Sequence, residues 1–164
     1  MLAAFIALTT LNLSAQKISI NFGPEIGIAL GSFGDTHGVG IGATIQPEVK
    51  VASQVSVTAI SGFKSYFGKD ISSTFKYKTQ TIIPIQVGLK YFFSKTPSNS
   101  FYGGADFGVG IFTKPYNFNA FAYSFGLGKK FNAKKHDMDV VLRYDGYSKN
   151  GSLSALNLRV GFGL

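Results

Sequence analysis

The sequence predicts an all-β fold, an eight-stranded antiparallel up-and-down transmembrane β-barrel. Apolar residues alternate with polar or small ones at a period of two in about eight segments beyond residue 15. A strand turns successive side chains to opposite faces, so each segment has one apolar and one polar face. Past residue 15, no apolar run approaches the roughly 20 residues that a membrane-spanning helix needs. The 20 glycines, the Phe- and Tyr-rich aromatic content and the 15% charged residues complete the pattern. Outward side chains then meet lipid, while inward ones are small or polar.

The 164 residues make one domain by length, and the absence of cysteine excludes a structural disulfide, a thiolate nucleophile and a cysteine lipid anchor. Residues 2–11 form an apolar run followed by Asn12-Leu13-Ser14-Ala15-Gln16, which reads as a secretory signal peptide over residues 1–15 with cleavage after Ala15. Leu13 is larger than the small residue preferred at the −3 position. No Lys or Arg precedes the run, as expected if a basic region is lost upstream. The alternative is a short helix packed on the barrel. The barrel domain is residues 16–164.

The first strand, about 18–30, sets Ile18, Ile20, Phe22, Ile26, Ile28 and Leu30 outward and Asn21, Gly23, Glu25 and Gly27 inward. Residues 31–38 are turn formers and read as a loop. The second strand, 39–51, turns Val39, Ile41, Ala43, Ile45, Val49 and Val51 outward against Gly40, Gly42, Thr44, Gln46, Glu48 and Lys50. A tight connection at Ala52-Ser53-Gln54 leads to the third strand, about 55–67, with Val55, Val57, Ala59 and Phe63 outward. A polar loop follows to about Thr79. The fourth strand, about 81–93, carries Ile83, Ile85, Val87, Leu89 and Tyr91 outward.

A Pro-, Ser- and Asn-rich turn at 94–100 precedes the fifth strand, Phe101 to Phe112. Phe121, Tyr123, Phe125 and Leu127 mark the sixth, Met138, Val140, Leu142 and Tyr144 the seventh. Leu156, Leu158, Val160, Phe162 and Leu164 mark the eighth. Strands of about 11–13 residues suffice to cross a bilayer when tilted. An even strand count returns the C-terminus to the side of the N-terminus. A chain secreted into the periplasm then faces its connections near 31–38, 68–79, 113–119 and 148–152 outward. Two aromatic belts are expected at headgroup level: Tyr91, Phe92, Phe93, Phe101 and Tyr102 on the periplasmic side, and Tyr66, Phe67, Phe112, Tyr116 and Phe118 on the other. Pro24 and Pro47 are expected to mark bulges, because each lacks a ladder donor; Pro84 lies near a strand start.

Inward positions hold Glu25, Glu48, Asp106, Asp139 and Asp145 against Lys64, Lys90, Lys130, Arg143 and Arg159. Glu25, Asp106, Arg143 and Arg159 fall near mid-height, so an ion-pair cluster is expected there with Asp145 close by, as confined charges persist mainly when paired. Many remaining inward positions are glycine and leave room for long Lys and Arg side chains. Eight strands enclose a space just wide enough for side chains to fill, so the lumen is expected to be plugged.

The formal net charge of +8 does not mark a nucleic-acid binder, since the lysines form neither a helical stripe nor an RNA-binding aromatic motif. Several fall in loops and turns as solvated charge. Lys69, Lys76, Lys78, Lys114 and Lys149 are candidate contacts for lipopolysaccharide phosphates. Gly38-Val39-Gly40-Ile41-Gly42 precedes a strand, not a helix, and is no phosphate loop. His37 and His136 fall at opposite ends of the barrel and share neither a metal nor a catalytic unit. Ser32, Asp35 and His37 crowd one loop, a trio common by chance. No catalytic residue or cofactor is expected. Asn150-Gly151-Ser152 reads as a hairpin turn.

With these residues in view, the chain resembles the small outer-membrane barrel proteins of Bacteroidota, the PorT-like β-barrel family. The resemblance rests on Ser14-Ala15-Gln16, Ile83-Pro84-Ile85 leading to Leu89-Lys90-Tyr91-Phe92-Phe93, Gly103-Gly104, and the closing run Leu156 to Leu164. It is also similar to the OmpA/OmpX type of eight-stranded barrel, although it ends in Leu164 where many barrels end in an aromatic residue. The resemblance implies an outer-membrane location and insertion by the barrel-assembly machinery. A monomer with a structural or interaction role is expected, in contact with outer-membrane lipid and lipopolysaccharide. Two other readings stay open: a narrow passive pore, and a periplasmic lipocalin-like ligand-binding barrel with the faces inverted. Participation in a secretion machine follows only by analogy with the PorT name.

Overall fold

The computed structural model describes residues 18–72, 75–96, 99–113, 115–133, 136–149 and 151–163. The expected signal segment 1–15 and Lys114 lie outside them. In chain order the elements are β1 (Ile18–Leu30), a short helix α1 (Gly31–Thr36), β2 (His37–Lys50), β3 (Val55–Gly68), β4 (Asp70–Ser72), β5 (Phe75–Lys76), β6 (Gln80–Phe92), β7 (Phe101–Phe112), β8 (Phe118–Ala133), β9 (His136–Ser148) and β10 (Ser152–Gly163). Eight strands close into an antiparallel barrel in the order β1-β10-β9-β8-β7-β6-β3-β2. The closing seam pairs Glu25 with Arg159 and Ile26 with Leu158.

Alternation decides the two faces. Ile26, Ile41, Val87, Leu127 and Leu142 stand exposed on the outside, whereas Glu25, Lys64, Asp106, Arg143 and Arg159 are buried within. An apolar exterior around a charged interior suits a lipid surround, and it is the reverse of the lipocalin arrangement. One end of the barrel, here the loop end, carries α1 and the connections that join β3 to β6, β7 to β8 and β9 to β10. The other, the terminal end, carries residue 18, residue 163, the short connection at 51–54 and the connection that joins β6 to β7.

Several expectations are corrected. Residues 31–36 form α1, not an open loop, and it lowers Phe33 into the barrel mouth. The apolar ring gains more by burial than the turn-forming sequence around it loses by coiling. The polar loop after β3 contains the β4–β5 hairpin. His37 begins β2 and is buried.

Four rings expected in the belts face inward. Tyr66, Phe92, Tyr102 and Phe112 are only 0–2% exposed, because their strand parity is that of the lumen. Tyr91, Phe93 and Phe101 remain exposed at the terminal end, and Phe67 and Tyr116 at the loop end. Phe118 stacks on Phe112 at 4.2 Å between centroids.

The prolines do not mark bulges. Pairing lapses for two residues at each, then resumes in the same register: at Pro24 toward β10, at Pro47 toward β3, and at Pro84 toward β3. The missing N–H leaves one rung open without adding a residue. Opposite Pro84 sits Gly62 at φ +152°, a conformation L side chains rarely adopt.

Candidate functional site

The inside of the barrel is built in layers. At the loop end, Phe33, Tyr66, Ile82, Phe112 and Tyr147 pack together with Ala120, Ala122 and Ala155. Two of these rings lie over glycines. A Cβ at Gly40 would stand 2.5 Å from the Tyr66 ring, and one at Gly110 would stand 2.6 Å from Tyr147. The Tyr102 ring covers Gly128 in the same way at the terminal end. These inward glycines therefore make room for tyrosine rings, where room for Lys and Arg was expected. Gly42, against the Lys64 stem, serves the expected purpose.

Beneath the aromatic layer lies a charge network at mid-height. Glu25 accepts from Arg143 Nη2 at 3.3 Å, lies 3.1 Å from Lys64 Nζ, and is 3.8 Å from Arg159 Nε. Asp145 takes Lys64 Nζ at 2.5 Å and Arg143 Nε at 2.9 Å. Of the five residues placed together from sequence, the fold thus brings Glu25, Arg143, Asp145 and Arg159 into one network. Asp106 stands outside it, accepting from Thr58 Oγ1 at 3.0 Å and in no ion pair among the described residues.

Sequence reasoning missed the network's hub. Lys64 was placed inward, yet nothing in its strand alone shows that it reaches across to Asp145. Thr44 was missed too: its hydroxyl donates to Glu25 at 2.5 Å and accepts from Arg159 Nε at 2.9 Å. Tyr66 donates to Asn157 Oδ1 at 2.8 Å, and Asn157 donates to Asp145 at 2.6 Å, tying the aromatic layer to the charges below. Hydrogen bonds of this kind offset the cost of burying charge, although Arg143 Nε, Asp145 Oδ1 and Arg159 Nη1 have no hydrogen-bond partner among the described residues.

A second network lies nearer the terminal end. Lys90 Nζ contacts Asp139 at 2.7 Å and Glu48 at 3.2 Å, and lies 4.6 Å from the Tyr102 ring centroid. The Tyr102 hydroxyl donates to Asp139. Lys130 approaches Glu48 at 3.9 Å. Between the two networks a cavity of about 20 Å³ remains, bordered by Gln46, Gly104, Gly126 and Arg143, on the order of a single water site.

Among the described residues, ten charged side chains are buried in the lumen, five cationic and five anionic. The lumen is therefore neutral by formal count. The net +8 of the chain belongs entirely to residues outside it.

The loop end carries part of that excess. Lys69, Lys78 and Lys149 are exposed there. Lys69 Nζ donates to the Gly34 carbonyl at 2.5 Å, securing α1, and the exposed Lys76 pairs with Asp70 at 3.2 Å. Lys149 Nζ lies 5.2 Å from the Phe118 ring, beside a cleft of about 440 Å³ that Ser32, Tyr147 and Leu153 also line. The Ser32–Asp35–His37 trio is not assembled. Ser32 donates to the Ser152 carbonyl at 3.1 Å, whereas His37 donates through Nε2 to the Lys78 carbonyl at 3.2 Å and has Nδ1 2.8 Å from Thr36 Oγ1.

Solved structures share this architecture at low sequence identity. Neisserial surface protein A is 14% identical with a TM-score of 0.67, over 92% of this chain and 99% of that one. Ail of Yersinia pestis, in complex with the heparin analogue sucrose octasulfate, is 16% identical with a TM-score of 0.52, over 90% and 97%. The N-terminal β-barrel domain of Pseudomonas aeruginosa OprF is 14% identical with a TM-score of 0.52, over 92% and 100%. No curated protein matches the sequence. The family described as outer membrane protein beta-barrel domain matches residues 3–164. With a closed eight-stranded barrel, an apolar exterior and that match, the chain belongs to the outer membrane protein beta-barrel domain family and is a protein of the outer membrane.

Proposed function

We propose that this chain is a non-conducting outer-membrane barrel whose basic loop end binds the phosphates of lipopolysaccharide. The observation that carries the reading is the partition of charge: a filled, neutral lumen, with every unbalanced cation outside it. Lys69, Lys76, Lys78 and Lys149 stand at the loop end and outnumber its carboxylates, Asp35 and Asp70, and Lys114 belongs to the β7–β8 connection in the sequence. Each Lys near an anionic surface contributes on the order of 1 kcal/mol. The Ail complex with a sulfated saccharide analogue shows a barrel of this architecture holding a polyanionic sugar, which supports the same chemistry here.

A narrow pore has less to rest on, since a path along the axis has to pass the Phe33–Tyr66–Tyr147 layer and then both charge networks. Insertion by the barrel-assembly machinery and a monomeric state complete the proposal. Closer kinship with PorT-like proteins of Bacteroidota rests on the sequence motifs alone.

The test is binding of the refolded full chain to lipopolysaccharide aggregates, against a variant with Lys69, Lys76, Lys78 and Lys149 all changed to Gln. Tenfold or greater weakening in the variant, with wild-type binding lost as salt rises, supports the proposal. Equal binding by both proteins overturns it.

A further inference from the structure

We propose that the outer wall of the barrel carries a site for one anionic diacyl phospholipid, with its phosphate at Lys129 and an acyl chain in the adjacent groove. Along β8 the outward positions read Phe121, Tyr123, Phe125, Leu127, Lys129 and Phe131. Lys129 is the single charge in that row. A cation on the lipid face is costly at mid-membrane and tolerated near the interface, where it meets headgroups.

The side chain is held in place. Lys129 Nζ lies 4.9 Å from the Phe101 ring centroid and 4.9 Å from that of Phe131. Two aromatic faces bracket the ammonium and fix where its charge points. The position is at the terminal end, level with the exposed rings of Phe93 and Phe101. Aromatic rings of this kind gather at headgroup depth.

Beside the ammonium runs an open groove of about 780 Å³, within the range of roughly 300–1,000 Å³ that ligand sites occupy. Its floor is aliphatic, formed by Leu127, Val140, Leu142 and Leu158, and the Phe93 and Phe101 rings stand at its edge. Val140 lies directly across from Lys129 in the β8–β9 ladder, so the groove starts at the cation. Ser94 and Asn99 add a polar rim, and no carboxylate among the described residues lines it. Polar rim, cation and aliphatic trough thus follow one another in the order of headgroup, phosphate and acyl chain. The charge complement selects an anionic lipid over a zwitterionic one.

The experiment is native mass spectrometry of the full-length barrel loaded with phosphatidylglycerol or phosphatidylcholine of identical acyl chains. Wild-type protein is expected to retain one phosphatidylglycerol about fivefold more than phosphatidylcholine. Lys129→Gln is expected to erase that preference. Val140→Phe, which fills the trough with a larger apolar group, is expected to reduce retention of both lipids severalfold.

Equal retention of the two lipids by the wild type overturns the proposal. So does an unchanged preference in Lys129→Gln. Unchanged retention in Val140→Phe, which would mean charge attraction without a groove, overturns it as well. Unheated gel mobility establishes that each variant is folded, and either folded variant carries the test. The site is independent of lipopolysaccharide binding at the loop end, so the two proposals stand or fall on separate measurements.

Discussion

Lys64 on β3 and Asp145 on β9 project from opposite walls of the barrel, four strands apart in either direction, and meet at 2.5 Å across its axis. An eight-stranded barrel is narrow enough for two side chains to span it. Both residues also connect to neighbours on other strands: Lys64 to Glu25 on β1, and Asp145 to Asn157 on β10. One contact thus braces four strands against each other.

Removing a cation from this network should leave buried carboxylates without partners. Lys64→Ala and Arg143→Ala are each expected to destabilise the barrel by about 3–5 kcal/mol, with Arg159→Ala acting in the same direction. Asp106→Asn, which removes a carboxylate bonded to Thr58 and standing outside the ion pairs, is expected to cost less, about 1 kcal/mol. Urea unfolding of the refolded protein measures all four. Comparable losses at Asp106 and Lys64 would contradict the division of the lumen drawn from the contacts.

A filled lumen should not pass ions. Purified protein in planar bilayers is expected to show no steady single-channel steps, and Phe33→Ala is expected to behave alike because both charge networks lie below that ring. Reproducible unit conductance in the wild type would make the pore the better reading.

The Tyr147 ring lies where a side chain at Gly110 would grow. Gly110→Val is therefore expected to destabilise by about 1–3 kcal/mol through overpacking. Combining it with Tyr147→Ala should cost less than the two single losses added together. Strict additivity in a double-mutant cycle would show that ring and glycine do not share the space.

His37 joins α1 to the segment after β5 through Thr36 and the Lys78 carbonyl. His37→Ala should loosen that corner alone. Amide exchange in residues 69–79 is expected to quicken about tenfold, while the temperature at which the barrel unfolds on gels stays unchanged. Equal loss of protection along β7 and β8 would mean that the histidine supports the whole barrel.

The strands and their facing were legible because alternation is a local property that a barrel imposes on every spanning segment. Glu25, Lys64, Arg143 and Arg159 could all be placed inward from parity. Which of them touch could not, since the Lys64–Asp145 contact depends on shear and side-chain reach across the axis. Asp106 shares the parity and approximate height of its expected partners, yet it faces Thr58. Tyr66, Phe92, Tyr102 and Phe112 were misplaced for a related reason. Their nearness to strand ends suggested the membrane interface, but their parity directs them inward, where each ring fills volume at a lumen end. Phe33 was hidden among turn formers, and only the descent of α1 into the mouth reveals its place.

The interrupted rung at Pro24 has a consequence for the chain before the barrel closes. Until β1 meets β10, each is the free border of an open sheet, and such a border can template pairing with another molecule. Pro24 removes a donor from the middle of the β1 border, on the side that later faces β10. The finished seam forgoes one hydrogen bond there. In exchange, the unassembled protein is less able to zip onto a copy of itself while it waits outside the membrane.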